Sequence, residues 1–236
     1  GMEVFLADTT GKVNLLSGSQ PQLDGLKLSE NGKKAAYLDT DANTGDTILV
    51  EIELGKEKAE TVATNVQSFG YIGNTLIYYF DYTEGVGTLG AAGSKTTIAN
   101  ASGVQFTEDA VYYVADADAA TGNGELRAWD GKTETAIAKD VFAFQYKENG
   151  KLVYIGKYDV NAGVGDLYYY DGKEVTIPLD VRLSPSANAQ KYFKEYKKKQ
   201  TAARMLTELI AESDAEAEYL ATVQYEVETA EGEAAL

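Results

Sequence analysis

Between Val104 and Val141 apolar and polar residues alternate in four short runs separated by three turns. Tyr112-Tyr113-Val114 begins one apolar run, a Gly/Asn/Asp-rich turn follows, and Leu126 to Trp129 makes the next. Asp130-Gly131 then turns the chain into Thr133 to Ala138. Alternation of period two puts successive side chains on opposite faces of a strand, and Asp-Gly between two such runs signals a hairpin because both turn positions favour positive φ. The pattern returns downstream as Leu152-Val153-Tyr154, a Gly/Asn/Asp turn, Leu167 to Tyr170, Asp171-Gly172, and Glu174 to Ile177. A self-similarity of about 40 residues predicts a repeat protein.

Upstream, Leu23–Leu28, Lys34–Leu38, Thr47–Leu54 and Glu60–Ala63 make a first complete unit. Val66–Ile72, Leu76–Tyr82, Gly87–Ala92 and Thr96–Ala99 make a second. The units run over residues 23–64, 65–102, 103–140 and 141–180, four strands each, which matches a propeller blade in length and strand count. A small twisted sheet hides both faces only by stacking against its own kind. The predicted fold class is therefore all-β, a β-propeller of four-stranded antiparallel blades, with an open solenoid or a truncated larger ring as alternatives. Met2–Ala7 and Val13–Leu16 read as the third and fourth strands of a blade, Val181-Arg182-Leu183 as its first, and Tyr219–Val227 as its second. Together they would complete a fifth blade and close a single-domain ring over residues 1–236.

One stretch changes period. In Asn188–Ser213 the residues Tyr192, Phe193, Tyr196, Ala203, Leu206, Leu209 and Ile210 recur at helical spacing. Lys191, Lys194, Lys197, Lys198, Lys199 and Arg204 occupy much of the remaining surface. This predicts one helix inserted near the C-terminus, either docked on the propeller or offered to a partner. The tail from Thr229 to Leu236 is expected to fray.

Composition narrows the chemistry. The chain has no cysteine and no histidine, so disulfides, thiolate nucleophiles and histidine triads are absent. The net charge of -16 predicts repulsion of phosphate backbones and hence no nucleic-acid partner. Tyrosine is in excess, 17 against 7 phenylalanines, as suits half-buried strands. No apolar run is long enough for a membrane helix. Gly1 ahead of Met2 reads as the scar of a removed tag, which leaves room for a native leader. An Asn/Thr/Gly/Ala-rich surface points to an extracytoplasmic, cell-surface or secreted bacterial protein.

Candidate sites lie in the long turns. Asp39, Asp41 and Asn43, then Asp116 and Asp118, then Asp159 and Asn161, place oxygen ligands at alternate positions before glycine, as calcium requires. The first of these departs from a calcium loop at Thr44 and Val50, and Asx-type turn capping explains the same residues. Structural calcium is the one cofactor these turns could hold. Trp129 and Tyr170, each just before an Asp-Gly turn, are candidates to face a ligand or to cap the packing between blades. No residue is singled out as catalytic. The glycine-rich Gly85–Gly93 lacks the strand-glycine-helix context and the Lys-Ser/Thr of a phosphate loop.

The motif LYYYDGK at Leu167–Lys173, continued by Ile177 and Asp180-Val181 and echoed by LRAWDGK at Leu126–Lys132, resembles the tyrosine-rich repeats of TolB-type and DUF5050-type propellers. That resemblance extends over residues 2–183 and implies an envelope-associated protein without assigned chemistry. The expected function is a non-catalytic binding or scaffolding module for a protein or carbohydrate ligand. The alternatives are a carboxylate-based hydrolase or lyase acting on carbohydrate, and a fragment of a larger envelope protein.

Overall fold

The computed structural model describes residues 4–7, 13–16, 22–56 and 59–229. They fall in two compact units, a β unit within residues 1–178 and a helical unit within 179–236. The β unit begins with β1 (Val4–Ala7) and β2 (Val13–Leu16), which pair with each other. A four-stranded sheet follows, built from β3 (Gln22–Leu28), β4 (Lys34–Thr40), β5 (Thr47–Glu53) and β6 (Ala59–Thr64). The remaining strands form one sequential antiparallel ladder of ten. They are β7 (Val66–Ile72), β8 (Thr75–Thr83), β9 (Val86–Ala91), β10 (Thr97–Phe106), β11 (Val111–Ala115), β12 (Gly124–Trp129), β13 (Glu134–Tyr146), β14 (Leu152–Asp159), β15 (Val164–Tyr170) and β16 (Glu174–Ile177). Among the described residues, each strand pairs only with strands next to it in sequence, and every pairing is antiparallel.

Two long strands explain how a single ladder carries several meanders. The first half of β10 pairs with β9, from Thr97 to Ser102, and its second half pairs with β11, from Ala101 to Phe106. Likewise β13 pairs with β12 through its first half and with β14 from Val141 onward. A left-handed residue marks each handover: Asn65 between β6 and β7, Asn100 in β10 and Asp140 in β13. Each faces a second left-handed residue one strand on, respectively Asp81, Asp116 and Lys157. In the first two pairs the Asn Nδ2 donates to the Asp Oδ1 at 3.1 Å, and the Asp N–H donates to the Asn carbonyl at 3.1 Å. Asparagine suits this position because its short side chain tolerates positive φ and bonds locally. Asn100→Val is therefore expected to cost about 2 kcal/mol, read as a shift in the urea midpoint, whereas Asn100→Gly should cost far less.

Alternation along the inner strands sorts side chains into cores on both faces. From β4, Ala36 joins Leu49, Val66, Phe69 and Leu76, while Ala35 and Tyr37 turn the other way to Val50 and Ile52. Ile77 and Tyr79 of β8 meet Val111, Tyr113 and Trp129. Tyr112 and Val114 of β11 face Leu126, Leu152, Tyr154 and Tyr168. Each fully buried Leu, Ile or Val contributes about 2 kcal/mol. The last meander has no such cover on its outer side, where Ile155 and Val175 stand exposed.

These features correct the five-bladed closed propeller. The architecture is an antiparallel β domain of two large sheets followed by one helix. Among the described residues β1 and β2 pair only with each other, so no C-terminal strand joins them to complete a fifth sheet. Tyr219–Val227, expected to be a closing strand, is helical, as α1 runs from Pro185 to Thr229. Its alternating YLATVQYEV pattern also fits helical spacing, and it continues a run of strong helix formers through which helix propagates cooperatively. Val181–Leu183 is not a strand either, but the lead-in to that helix. The first two residues of the expected strand Met2–Ala7 and most of the frayed tail lie outside the described residues.

Candidate nucleic-acid interface

The helical unit starts with a clasp. Ser184 caps α1, accepting the Ala187 N–H at its Oγ (3.2 Å), and Pro185 takes the first helical position, where its missing N–H costs nothing. Asn188, nearly fully buried, donates from Nδ2 to the carbonyls of Asp180, Leu183 and Ser184 and accepts the Asp180 N–H at 2.8 Å. Asp180 in turn takes both Arg182 Nε and Nη2 at 2.9 Å. The Arg182 side chain and N–H hold the Asp180 carboxyl below the usual range. Ser-Pro ahead of an apolar periodic run was the signal for this start, masked by the likeness of Asp180-Val181 to Asp140-Val141.

From this clasp α1 extends for 45 residues, about 67 Å at the helical rise. Its first half carries Lys191, Lys194, Lys197, Lys198, Lys199 and Arg204 against the single acid Glu195. Tyr192, Phe193 and Tyr196 are interleaved with them, and Phe193 and Tyr196 are about 60% exposed. Lys197 Nζ sits 5.6 Å from the Phe193 ring centroid, a cation–π contact. Extended cations between exposed aromatic faces can neutralise phosphates and stack bases. The chain-wide charge of -16 concealed this segment, because a net charge averages over separated regions. A net charge therefore does not by itself exclude a nucleic-acid partner. Among the described residues no helix is long and apolar enough to cross a membrane.

The turn residues named as ligands lie on three separate turns. Asp39 is buried at the end of β4, and its Oδ1 accepts the Thr40 N–H. Asp41 Oδ1 accepts the N–H groups of Asn43 and Thr44, Asp118 Oδ1 those of Ala120 and Thr121, and Asp159 Oδ1 those of Asn161 and Ala162. Asp116 bonds Asn100 at a handover. Among the described residues no three His, Cys, Asp or Glu side chains are arranged to hold a metal ion. Trp129 is buried in the core with Ile77 and Tyr113, and it also borders a hollow of about 390 Å³ with Thr75, Ser94 and Lys132. Tyr170 packs half-buried against the neighbouring core of Tyr154 and Tyr168. The two aromatics thus serve different cores.

The turn caps have an acid signature. Backbone N–H donors hold Asp41 (Asn43, then Thr44), Asp118 (Thr121) and Asp130 (Thr133, then Lys132) below their ordinary pKa. A carboxylate with a depressed folded pKa contributes stability above its unfolded value, about 3.9, and loses it as pH falls through the folded one. Stability of the β unit should therefore decline below about pH 4. The combined substitution Asp41→Asn, Asp118→Asn and Asp130→Asn should flatten that acid limb in melts from pH 2 to 6, since a neutral acceptor does not titrate.

Comparison with known proteins now bears on this arrangement. Residues 134–236 match the family described as NFACT N-terminal and middle domains. The chain is 53% identical over 55 residues to the Rqc2 homolog RqcH of Streptococcus suis (strain 05ZYH33), covering 23% of this chain and 10% of that protein. It is 45% identical over 56 residues to the Rqc2 homolog RqcH of Streptococcus pneumoniae serotype 2 (strain D39 / NCTC 7466), covering 24% and 10%. The chain thus spans about a tenth of the length of the curated relatives it matches. Among solved structures, the β-propeller domain of the Trilobed protease from Pyrococcus furiosus overlaps 74% of this chain and 66% of its own at 12% identity and a TM-score of 0.47, too loose to define the fold.

These matches replace the TolB-type and DUF5050-type kinship. A tyrosine-rich strand before an Asp-Gly turn is what a packed meander demands, so the motif by itself does not identify a family. The secreted or envelope location is corrected with it, because an Asn/Thr/Gly-rich surface reflects the turns rather than a compartment. So are the envelope binding module and its carbohydrate-hydrolase alternative. What the chain resembles, over residues 134–236, is the N-terminal and middle part of the NFACT proteins.

Proposed function

We propose that this chain is a non-catalytic, ribosome-associated scaffold in the cytoplasm, which meets RNA through the basic first half of α1. Its likeness to the NFACT domains and to the RqcH proteins supports this reading. The observation that carries it is the run of exposed lysines and aromatics from Lys191 to Lys199, set on a helix that begins in a rigid clasp. A helix holds these cations at fixed spacing along one axis, so they can track a phosphate backbone without ordering a loop. The β unit would serve as the body that the helix joins to the particle.

The test is binding of the purified chain to ribosomes by co-sedimentation and to a labelled ribosomal RNA fragment by anisotropy, across a salt series. Affinity should fall steeply with salt. The combined substitution of Lys191, Lys194, Lys197 and Lys198 by Gln should reduce the slope by about one for each phosphate that is no longer neutralised. Equal binding by the variant, or no binding even at about 50 mM salt, would overturn the proposal.

A further inference from the structure

The tetrapeptide Glu-Asn-Gly-Lys occurs twice, as Glu30–Lys33 and as Glu148–Lys151, and a third Asn-Gly pair lies at Asn123-Gly124. Asparagine before glycine is chemically labile. Glycine has no Cβ to shield its N–H, so its backbone nitrogen can reach the Asn side-chain carbonyl carbon. The local sequence makes Asn31 and Asn149 equals, and the fold separates them.

Asn31 is held at both reacting ends. Its Oδ1 accepts Ser29 Oγ and the Lys33 N–H, each at 3.0 Å, and its own N–H donates to Asn74 Oδ1 at 3.0 Å. The attacking atom there, Gly32 N, is occupied by the Ser29 carbonyl at 2.8 Å. Asn123 is held as firmly. Its Nδ2 donates to the Tyr158 carbonyl at 2.8 Å, and its Oδ1 accepts the Tyr158 N–H at 3.1 Å. It cannot turn back on Gly124 without giving up both bonds.

Asn149 has no such restraint. It is exposed, and among the described residues nothing bonds its side-chain amide. With Gly150 it forms the centre of the turn from β13 to β14, at φ values of +51° and +74°, closed by the Lys151 N–H donating to the Glu148 carbonyl at 2.9 Å. Gly150 N is engaged only by the Tyr146 hydroxyl, at a long 3.3 Å. Asn149 also borders a hollow of about 330 Å³ with Glu108, Asp109 and Lys147, so water reaches the reacting atoms.

We infer that Asn149 is a site of spontaneous modification, at which the folded chain converts this asparagine to aspartate and isoaspartate. Gly150 N gives up its proton to solvent base and bonds to Asn149 Cγ. The Cγ–Nδ2 bond breaks, and ammonia leaves with a proton from water. One water molecule then opens the five-membered imide at either carbonyl, so amide plus water becomes carboxylate plus ammonium. Aspartate keeps the turn but adds an anion beside Glu108, Asp109 and Glu148. Isoaspartate also adds a backbone carbon, which breaks the spacing that closes the turn between Glu148 and Lys151. None of this rests on the RNA reading.

The experiment is incubation of the full 236-residue chain in mildly alkaline buffer, folded and in urea, with conversion at each Asn-Gly pair followed by peptide mass mapping. One net hydrogen bond is worth about tenfold in rate, so in the folded chain Asn149 should react at least ~10-fold faster than Asn31 or Asn123. In urea the two identical tetrapeptides should react at the same rate. Gly150→Ala should slow the reaction at Asn149 by about tenfold or more while the chain stays folded, because its new Cβ crowds the attacking nitrogen and meets nothing else within 4 Å. Equal rates at Asn31 and Asn149 in the folded chain would overturn the inference. So would an Asn149 that reacts only in urea, or one indifferent to Gly150→Ala.

Discussion

Replacing Gly124 with alanine is expected to destabilise the β unit by about 3 kcal/mol, read from the urea midpoint. Gly124 opens β12 where its register against β13 shifts, and it lies between the backbones of two neighbouring strands. A Cβ there would overlap the Ala115 carbonyl oxygen, approach Val114 Cγ1 to 2.7 Å and reach Ala117 Cα at 3.1 Å. Two of these obstacles are backbone, which cannot rotate away, so the ladder itself must open. Gly150 offers the contrast: its φ of +74° carries the left-handed penalty, but nothing lies within 4 Å of its missing Cβ. Gly150→Ala should therefore cost only about 1 kcal/mol. If the two variants melted alike, the close approach at Gly124 would be wrong.

Trp129→Ala should be costlier still, about 4 kcal/mol, because it empties a large buried volume that rigid strands cannot collapse into. Trp129 is 3% exposed, stands across from Val111 and Glu134, and fills the core shared by β8, β11 and β12. Trp129→Phe should restore most of the loss, while Tyr170→Ala, at a half-buried position, should cost distinctly less. Thermal melts of the three variants rank them. A tryptophan whose main task was to face a ligand would tolerate alanine with little change in stability, so that ranking distinguishes the two roles.

Much of the local structure was legible because its causes are local. The turns at Asp130-Gly131 and Asp171-Gly172 announce themselves through residues that accept positive φ, and Gly131 and Gly172 do sit at +93° and +92°. The period-two runs around Tyr37, Tyr79, Tyr113 and Tyr154 mark strands with two buried faces. The handovers were harder. Nothing in the pattern says that Thr97–Phe106 is one strand serving two meanders, since that depends on Asn100 meeting Asp116 across the ladder.

The candidate interface was half-legible. The lysines and aromatics of Lys191–Lys199 were legible as a basic, aromatic helix face, but a net charge dominated by acids elsewhere in the chain hid its local sign. The helix's true extent was hidden at both ends. Val181–Leu183 and Tyr219–Val227 each carry a short alternating pattern compatible with a strand, and short windows cannot separate the two periods.

By itself the sequence determined the antiparallel meanders, their turns and the single change of period near the C-terminus, because φ preference, alternation and helix propensity act over a few residues. Only the tertiary structure decided whether the ends close. Closure depends on strands far apart in sequence finding free edges, and Tyr219–Val227 is already committed to the hydrogen bonds of α1. Backbone donors used within a helix cannot also complete a sheet, and that is why the closing strand expected at Tyr219–Val227 is absent among the described residues.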